Sequence, residues 1–224
     1  EPNDFKESPR GKPFALNNVR ILDFTWWLAS GGGPRFLIGL GAEDIKVEWK
    51  GRWDLRYNCA MPDGGRVSRD LATTPCPPAV LPTAANGGSP NQGGFFNDIN
   101  PGKWGISLNM NHPKGKEIMR KLIQVVDVVA EGFSPEVMRK WGFGYEQMKE
   151  INPSIIYVQQ SGMGQQGTYG KYRAVGPVAA SLSGLTEMSG LPEPHPPVGI
   201  GYSFLDWFGA YNIATSMIAA LYHR

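Results

Sequence analysis

Short apolar runs along this chain alternate with stretches of helical periodicity. Val19-Arg20-Ile21-Leu22-Asp23-Phe24 is brief, β-branched and apolar, and predicts a strand. Gly31-Gly32-Gly33-Pro34 predicts the opening of a short helix through Leu40, because proline suits a first turn, and Gly41 closes it. Asp44–Glu48 predicts a second strand. Strand, helix and strand within about thirty residues predict a right-handed βαβ unit and a parallel sheet. Three further strands are expected at Gly105–Met110, Val125–Ala130 and Ser154–Gln159. Between them Pro113–Gln124 is amphipathic, with Ile118, Leu122 and Ile123 on one side. Short helices are expected around Val137 and Met138, from Tyr145 to Ile151, and over the small apolar run Pro177–Leu185. The alternation predicts an α/β fold.

Two stretches break the pattern. Residues 51–98 lack periodicity and are rich in Gly, Pro, Asn and Thr, which predicts a lid, a binding loop or partial disorder. Trp207–Tyr222 has helical length and no charge, so it predicts a helix buried on all sides, too short and too polar at Asn212, Thr215 and Ser216 to span a bilayer. Asp206 stands at its mouth. Its carboxylate suits an N-cap, and it equally suits a nucleophile walled by Trp207 and Phe208. One residue can do both.

Composition narrows the function. With 19% charged residues, 41% hydrophobic residues and a net charge of +2, the chain reads as globular, with no basic stripe for nucleic acid. The two cysteines, Cys59 and Cys76, lack a C-x-x-C partner, which argues against zinc and for free thiols in a reducing cytoplasm. No signal peptide and no transmembrane run are visible, so a cytoplasmic protein is expected. Because the chain starts at Glu1 rather than Met, some N-terminal residues are expected to be missing. Gly162-Met163-Gly164-Gln165-Gln166-Gly167 matches the dinucleotide fingerprint, but it leads into Thr168–Arg173, which reads as loop. His112, His195 and His223 are too scattered for a metal set or a triad. Trp26 and Trp27, after the first strand, suit either core or the wall of a ligand crevice.

These stretches, taken in order, resemble the family III CoA-transferases, a group with formyl-CoA transferase, carnitine-CoA transferase and the related α-methylacyl-CoA racemase. The resemblance is carried by residues 19–25, 40–48, 103–110 and 127–135, by Trp141–Tyr145, Asn152-Pro153 and Ser161–Gly167, and by Pro197 through Asp206 to Leu221. It implies a Rossmann-like parallel sheet with flanking helices, the N-terminal part of that family's fold, and an interlocked dimer. Residues 1–18 would be an arm and 19–224 the CoA-binding and catalytic domain, with the family's smaller C-terminal domain absent.

The resemblance places the catalytic aspartate at Asp206 and makes coenzyme A, carried as an acyl-CoA, the substrate, with no metal required. It implies CoA contacts at Lys50, Leu108, Asn111, Gly132, Phe133, Lys140, Trp141 and Arg173. It implies a substrate pocket at Trp26, Trp27, Leu28, Trp207 and Phe208. The racemase's histidine position is Val175 here, and valine cannot remove a proton, so transfer is expected over racemisation. Formyl-CoA transferase has a glutamine where Leu28 stands, a glutamate at Gly176, and the family's usual asparagine falls on Gly132. The more apolar pocket implies a bulky or aromatic carboxylic acid acceptor. The alternative is a non-catalytic CoA-binding subunit of a heteromeric transferase. Either way the terminal helix is expected to need a partner, as a homodimer, a heteromer or the missing portion.

Overall fold

In the computed structural model, the structure describes residues 7–49, 54, 94–201 and 203–224. Lys50, Cys59, Cys76 and most of the stretch 51–98 lie outside the described residues. The strands are β1 (Arg20–Phe24), β2 (Glu43–Glu48), β3 (Trp104–Ser107), β4 (Val128–Glu131) and β5 (Ile156–Gln159). They form one sheet of order β3-β2-β1-β4-β5, and every pairing is parallel. The helices are α1 (Trp27–Gly31), α2 (Pro34–Gly39), α3 (Gly94–Ile99), α4 (Pro113–Ile123), α5 (Val137–Trp141), α6 (Tyr145–Ile151), α7 (Gly176–Leu182), α8 (Leu185–Met188) and α9 (Phe204–His223).

Period-two alternation in the strands sends side chains to two faces, and each face has its own core. Leu22, Phe24, Val47 and Val129 meet Met119 and Ile123 of α4, Met138 of α5 and Met148 of α6. Ile21, Val128 and Ala130 face the other way, onto Leu37 of α2 and Ile213, Ala214 and Met217 of α9. The molecule is therefore three layers, helix on sheet on helix, as a sheet buried on both faces requires.

Three expectations are corrected. At the end of the stretch expected to lack periodicity, Gly94–Ile99 is helical and buries Ile99 against Leu28. The third expected strand ends at Ser107, and the fourth begins only at Val128. The apolar residues beyond these bounds, Leu108, Met110 and Val126, are buried in the core without pairing along a strand. The terminal helix is not buried all round. Ala210, Ile213, Ala214 and Met217 form its one buried stripe, while Phe208, Tyr211 and Tyr222 face outward. Among the described residues no helix is long and apolar enough to cross a membrane.

Candidate active site

In this sheet the connections diverge between β1 and β4, and a crevice at the carboxyl ends of those strands is where an open parallel sheet receives ligands. β1 runs out into Thr25, Trp26 and Trp27; β4 runs out into Gly132 and Phe133. Trp27 begins α1 with φ 59°, left-handed for a bulky residue, and its N–H donates to Asp54 Oδ1 at 2.9 Å. Asp54 in turn pairs with Lys46 Nζ at 2.9 Å, and that lysine donates to Thr25 O at 2.8 Å.

Charges inside the sheet support this turn from below. Lys103 Nζ reaches Asp23 Oδ2 at 2.9 Å and donates to Gly31 O at 2.8 Å, with both charged side chains of the pair essentially out of water. Burial works against ionisation of Asp23, but the Lys103 and Lys46 charges and the Thr25 hydroxyl outweigh it and hold its pKa below the usual range. Asp44 meets the opposite balance. Burial, then the charge of Asp23, raise it well above the carboxylate range. Burial also works against the charge on Lys46, and Asp54 and Asp23 overcome it, raising its pKa.

Over the α4–α6 face the crevice is aromatic. Phe133 sits edge-on to Trp141 at 5.4 Å between centroids and to Trp26 at 5.9 Å, with Phe24 at 6.2 Å behind it. Trp141 Nε1 donates to Asn111 Oδ1 at 3.2 Å. Leu108 is buried in the core beneath. A Cβ on Gly132 would lie 2.0 Å from Ser30 Oγ, which accounts for glycine here: α1 occupies the space that a larger side chain would need.

Asp206 lies on the third residue of α9, not at its cap; Ser203 holds that position without a side-chain bond. Its carboxylate reaches outside its own helix, where Oδ1 accepts the Gly176 N–H at 2.9 Å. A Cβ on Gly176 would come within 2.7 Å of the carboxyl carbon and of Oδ2, so only glycine lets the two elements approach this closely. Gln160, at the end of β5, also reaches α9, its Nε2 lying 2.5 Å from where a Cβ on Gly209 would stand.

The expected residues are therefore brought together in two groups and a remainder. Leu108, Asn111, Gly132, Phe133 and Trp141 lie in or beside the aromatic cluster that includes Trp26. Leu28 and Trp207 pack together with Ile99 and Phe95, and the Arg35 guanidinium lies 5.0 Å over the Trp207 ring. Phe208 faces outward and stacks on Phe204 at 6.1 Å. Trp27, Lys140 and Arg173 are exposed. Sequence reasoning missed the buried charges Asp23, Asp44, Lys46, Lys103 and Glu131. Their only signal was charge within short apolar strands, which also fits a solvated sheet face.

The model of CoA-transferase family III matches residues 16–224. The chain is 31% identical over 214 residues to the succinyl-CoA:mesaconate CoA-transferase of Haloarcula marismortui, covering 94% of this chain and 48% of that protein. It is also 31% identical over 216 residues to the acetyl-CoA:oxalate CoA-transferase of Acetobacter aceti, covering 96% and 48% respectively. The crystal structure of Rv3272 from Mycobacterium tuberculosis in its orthorhombic form superposes with a TM-score of 0.76 at 30% identity, over 94% of this chain and 52% of that one. The chain thus spans about half the length of the curated relatives it matches. Because the family match runs through the β1–β4 crevice and Asp206 alike, the chain belongs to CoA-transferase family III.

Proposed function

We propose that this chain supplies the CoA site and the nucleophile of an acyl-CoA:carboxylate CoA-transferase, with Asp206 as the catalytic residue. The observation that carries the reading is the Asp206 carboxylate itself. One oxygen is held by the Gly176 N–H, with no lysine, arginine or histidine paired to it among the described residues. A carboxylate held through one oxygen by a backbone donor is oriented for attack by the other.

An Asp206 oxygen adds to the thioester carbonyl and expels CoA thiolate, leaving a mixed anhydride. The thiolate then attacks the aspartyl carbonyl, releasing the donor acid and forming an aspartyl-CoA thioester. The acceptor carboxylate displaces the thiolate to make a second anhydride. Thiolate attack on the acceptor carbonyl releases the new acyl-CoA and restores the Asp206 carboxylate. The oxyanions of these steps call for backbone N–H donors, which a glycine-rich segment is suited to supply. The walls of Phe133, Trp141 and Trp26, with Asn111 at the rim, suit the adenine, and Lys50, Lys140 and Arg173 are assigned to its phosphates. Leu28, buried against Trp207, gives the acceptor side an apolar surface and favours a bulky or aromatic acid. A preference for oxalate over arylalkyl acids in competition would refute that last assignment.

The test is intact mass after incubation with succinyl-CoA and then hydroxylamine, for wild type and Asp206→Ala. An adduct trapped on Asp206 and lost in the variant is expected. CoA binding without any adduct would instead favour a non-catalytic subunit.

A further inference from the structure

Glu131 is the last residue of β4, 2% exposed, and forms no ion pair with lysine or arginine among the described residues. Its Oε2 accepts the Phe133 N–H at 2.6 Å. Its Oε1 accepts from Gln159 Nε2 at 3.0 Å and from the Tyr157 hydroxyl at 3.2 Å, and that hydroxyl also accepts from Gln159 Nε2 at 2.8 Å. The sheet register sets Glu131 between Phe24 of β1 and Gln159 of β5. A carboxyl buried away from cations is costly, and burial raises its pKa against the pull of the Phe133, Gln159 and Tyr157 donors. What it offers is acceptor capacity for three donors at once. One of the three is the amide that fixes the turn after β4. That turn aims Phe133 between Trp26 and Trp141.

We propose that Glu131 is a positioning residue for CoA, one that never touches the ligand but holds Phe133 through its amide; this rests on the CoA-transferase reading above. Glutamine should replace it in part. Its carbonyl can accept the Phe133 N–H, and its amide can face Gln159 once that side chain turns over to present oxygen. The Tyr157 hydroxyl then donates to the same oxygen. Alanine leaves the amide without its partner.

The experiment is CoA titration by calorimetry on the 224-residue chain, with wild type, Glu131→Ala and Glu131→Gln. Hydrogen exchange at the Phe133 amide and denaturant midpoints are followed in parallel. Glu131→Ala is expected to weaken CoA binding by about tenfold or more, with Glu131→Gln recovering most of that loss. Phe133 exchange should quicken in the alanine variant and stay slow in the glutamine one. If Glu131→Ala does not fold, Glu131→Asp takes its place; its carboxylate is one methylene too short for the Phe133 N–H, so affinity should fall with the charge retained. Wild-type affinity in the alanine or aspartate variant would overturn the proposal. So would losses that simply track the folded fraction, or equal losses in alanine and glutamine. A wild type that does not bind CoA would overturn the CoA reading itself, and this role with it.

Discussion

At the scale of single residues, Asp206 was legible because it stands before sixteen uncharged positions, where a carboxylate has to be explained. What held it was not legible. The Gly176 N–H comes from another helix, thirty residues earlier, and no local pattern announces that contact. Gly176→Ala tests it. A Cβ placed 2.7 Å from the carboxylate must push Asp206 aside, so trapping of the aspartyl adduct should fall by about tenfold or more while the fold survives. Undiminished trapping would show that the contact is incidental. Lys103 was read only as the start of a stretch, 103–110, that carries the family resemblance, because a lysine reads as solvated until its partner is seen. Lys103→Met leaves Asp23 buried without its ion-pair partner and should cost about 3–5 kcal/mol in denaturant unfolding. Asp44 gives a pH signature. Its pKa is raised on folding, so the folded state keeps a proton that the unfolded chain releases. Wild-type stability should therefore fall as pH rises from the ordinary carboxylate range toward the raised value. Asp44→Asn should lose that slope in thermal melts taken across the range.

At the scale of elements, the five strands and their parallel pairing followed from short apolar runs separated by helices. Their ends did not follow. Leu108, Met110 and Val126 are as apolar as strand residues because they are buried, and burial alone does not distinguish a ladder from the loop leaving it. The terminal helix shows the same limit. A sequence without charge predicts contact on every side, yet α9 packs its narrow stripe of Ala210, Ile213, Ala214 and Met217 onto the sheet and α2. Small residues make that packing close. A Cβ on Gly33, just ahead of α2, would fall 2.1 Å from Ile213 Cγ2 and 3.1 Å from Ala210 O. Gly33→Ala should therefore force α9 away from the sheet, costing about 1–3 kcal/mol by denaturant midpoint. Because Asp206 rides on the same helix, adduct formation should fall with it. A Gly33→Ala protein of wild-type stability would show that the helix pair can re-pack freely.

At the scale of the whole molecule, the outward face of α9 is what the three-layer architecture leaves uncovered. Ile218 is 38% exposed, Tyr211 53% and Tyr222 94%, and neighbouring α7 adds Val178 and Leu182, both more than half exposed. Tyr211, Ile218 and Tyr222 share one face of α9 by helical spacing, and large exposed side chains aligned in this way mark an interaction surface rather than a scatter of tolerated hydrophobics. The uncharged run Trp207–Tyr222 then makes sense: one stripe serves the sheet, and the other is free for a second set of contacts. If so, the 224-residue chain should sediment as a species larger than a monomer at micromolar concentration. Paired Leu182→Lys and Ile218→Lys substitutions should return it to a monomer. Neither residue belongs to the buried stripe of its helix, so the circular dichroism signature and thermal midpoint should stay close to wild type. A wild-type chain that is monomeric at every concentration and binds no hydrophobic dye would mean that this face tolerates water. The absence of charge from Trp207–Tyr222 would then be explained by the inner stripe of α9 alone.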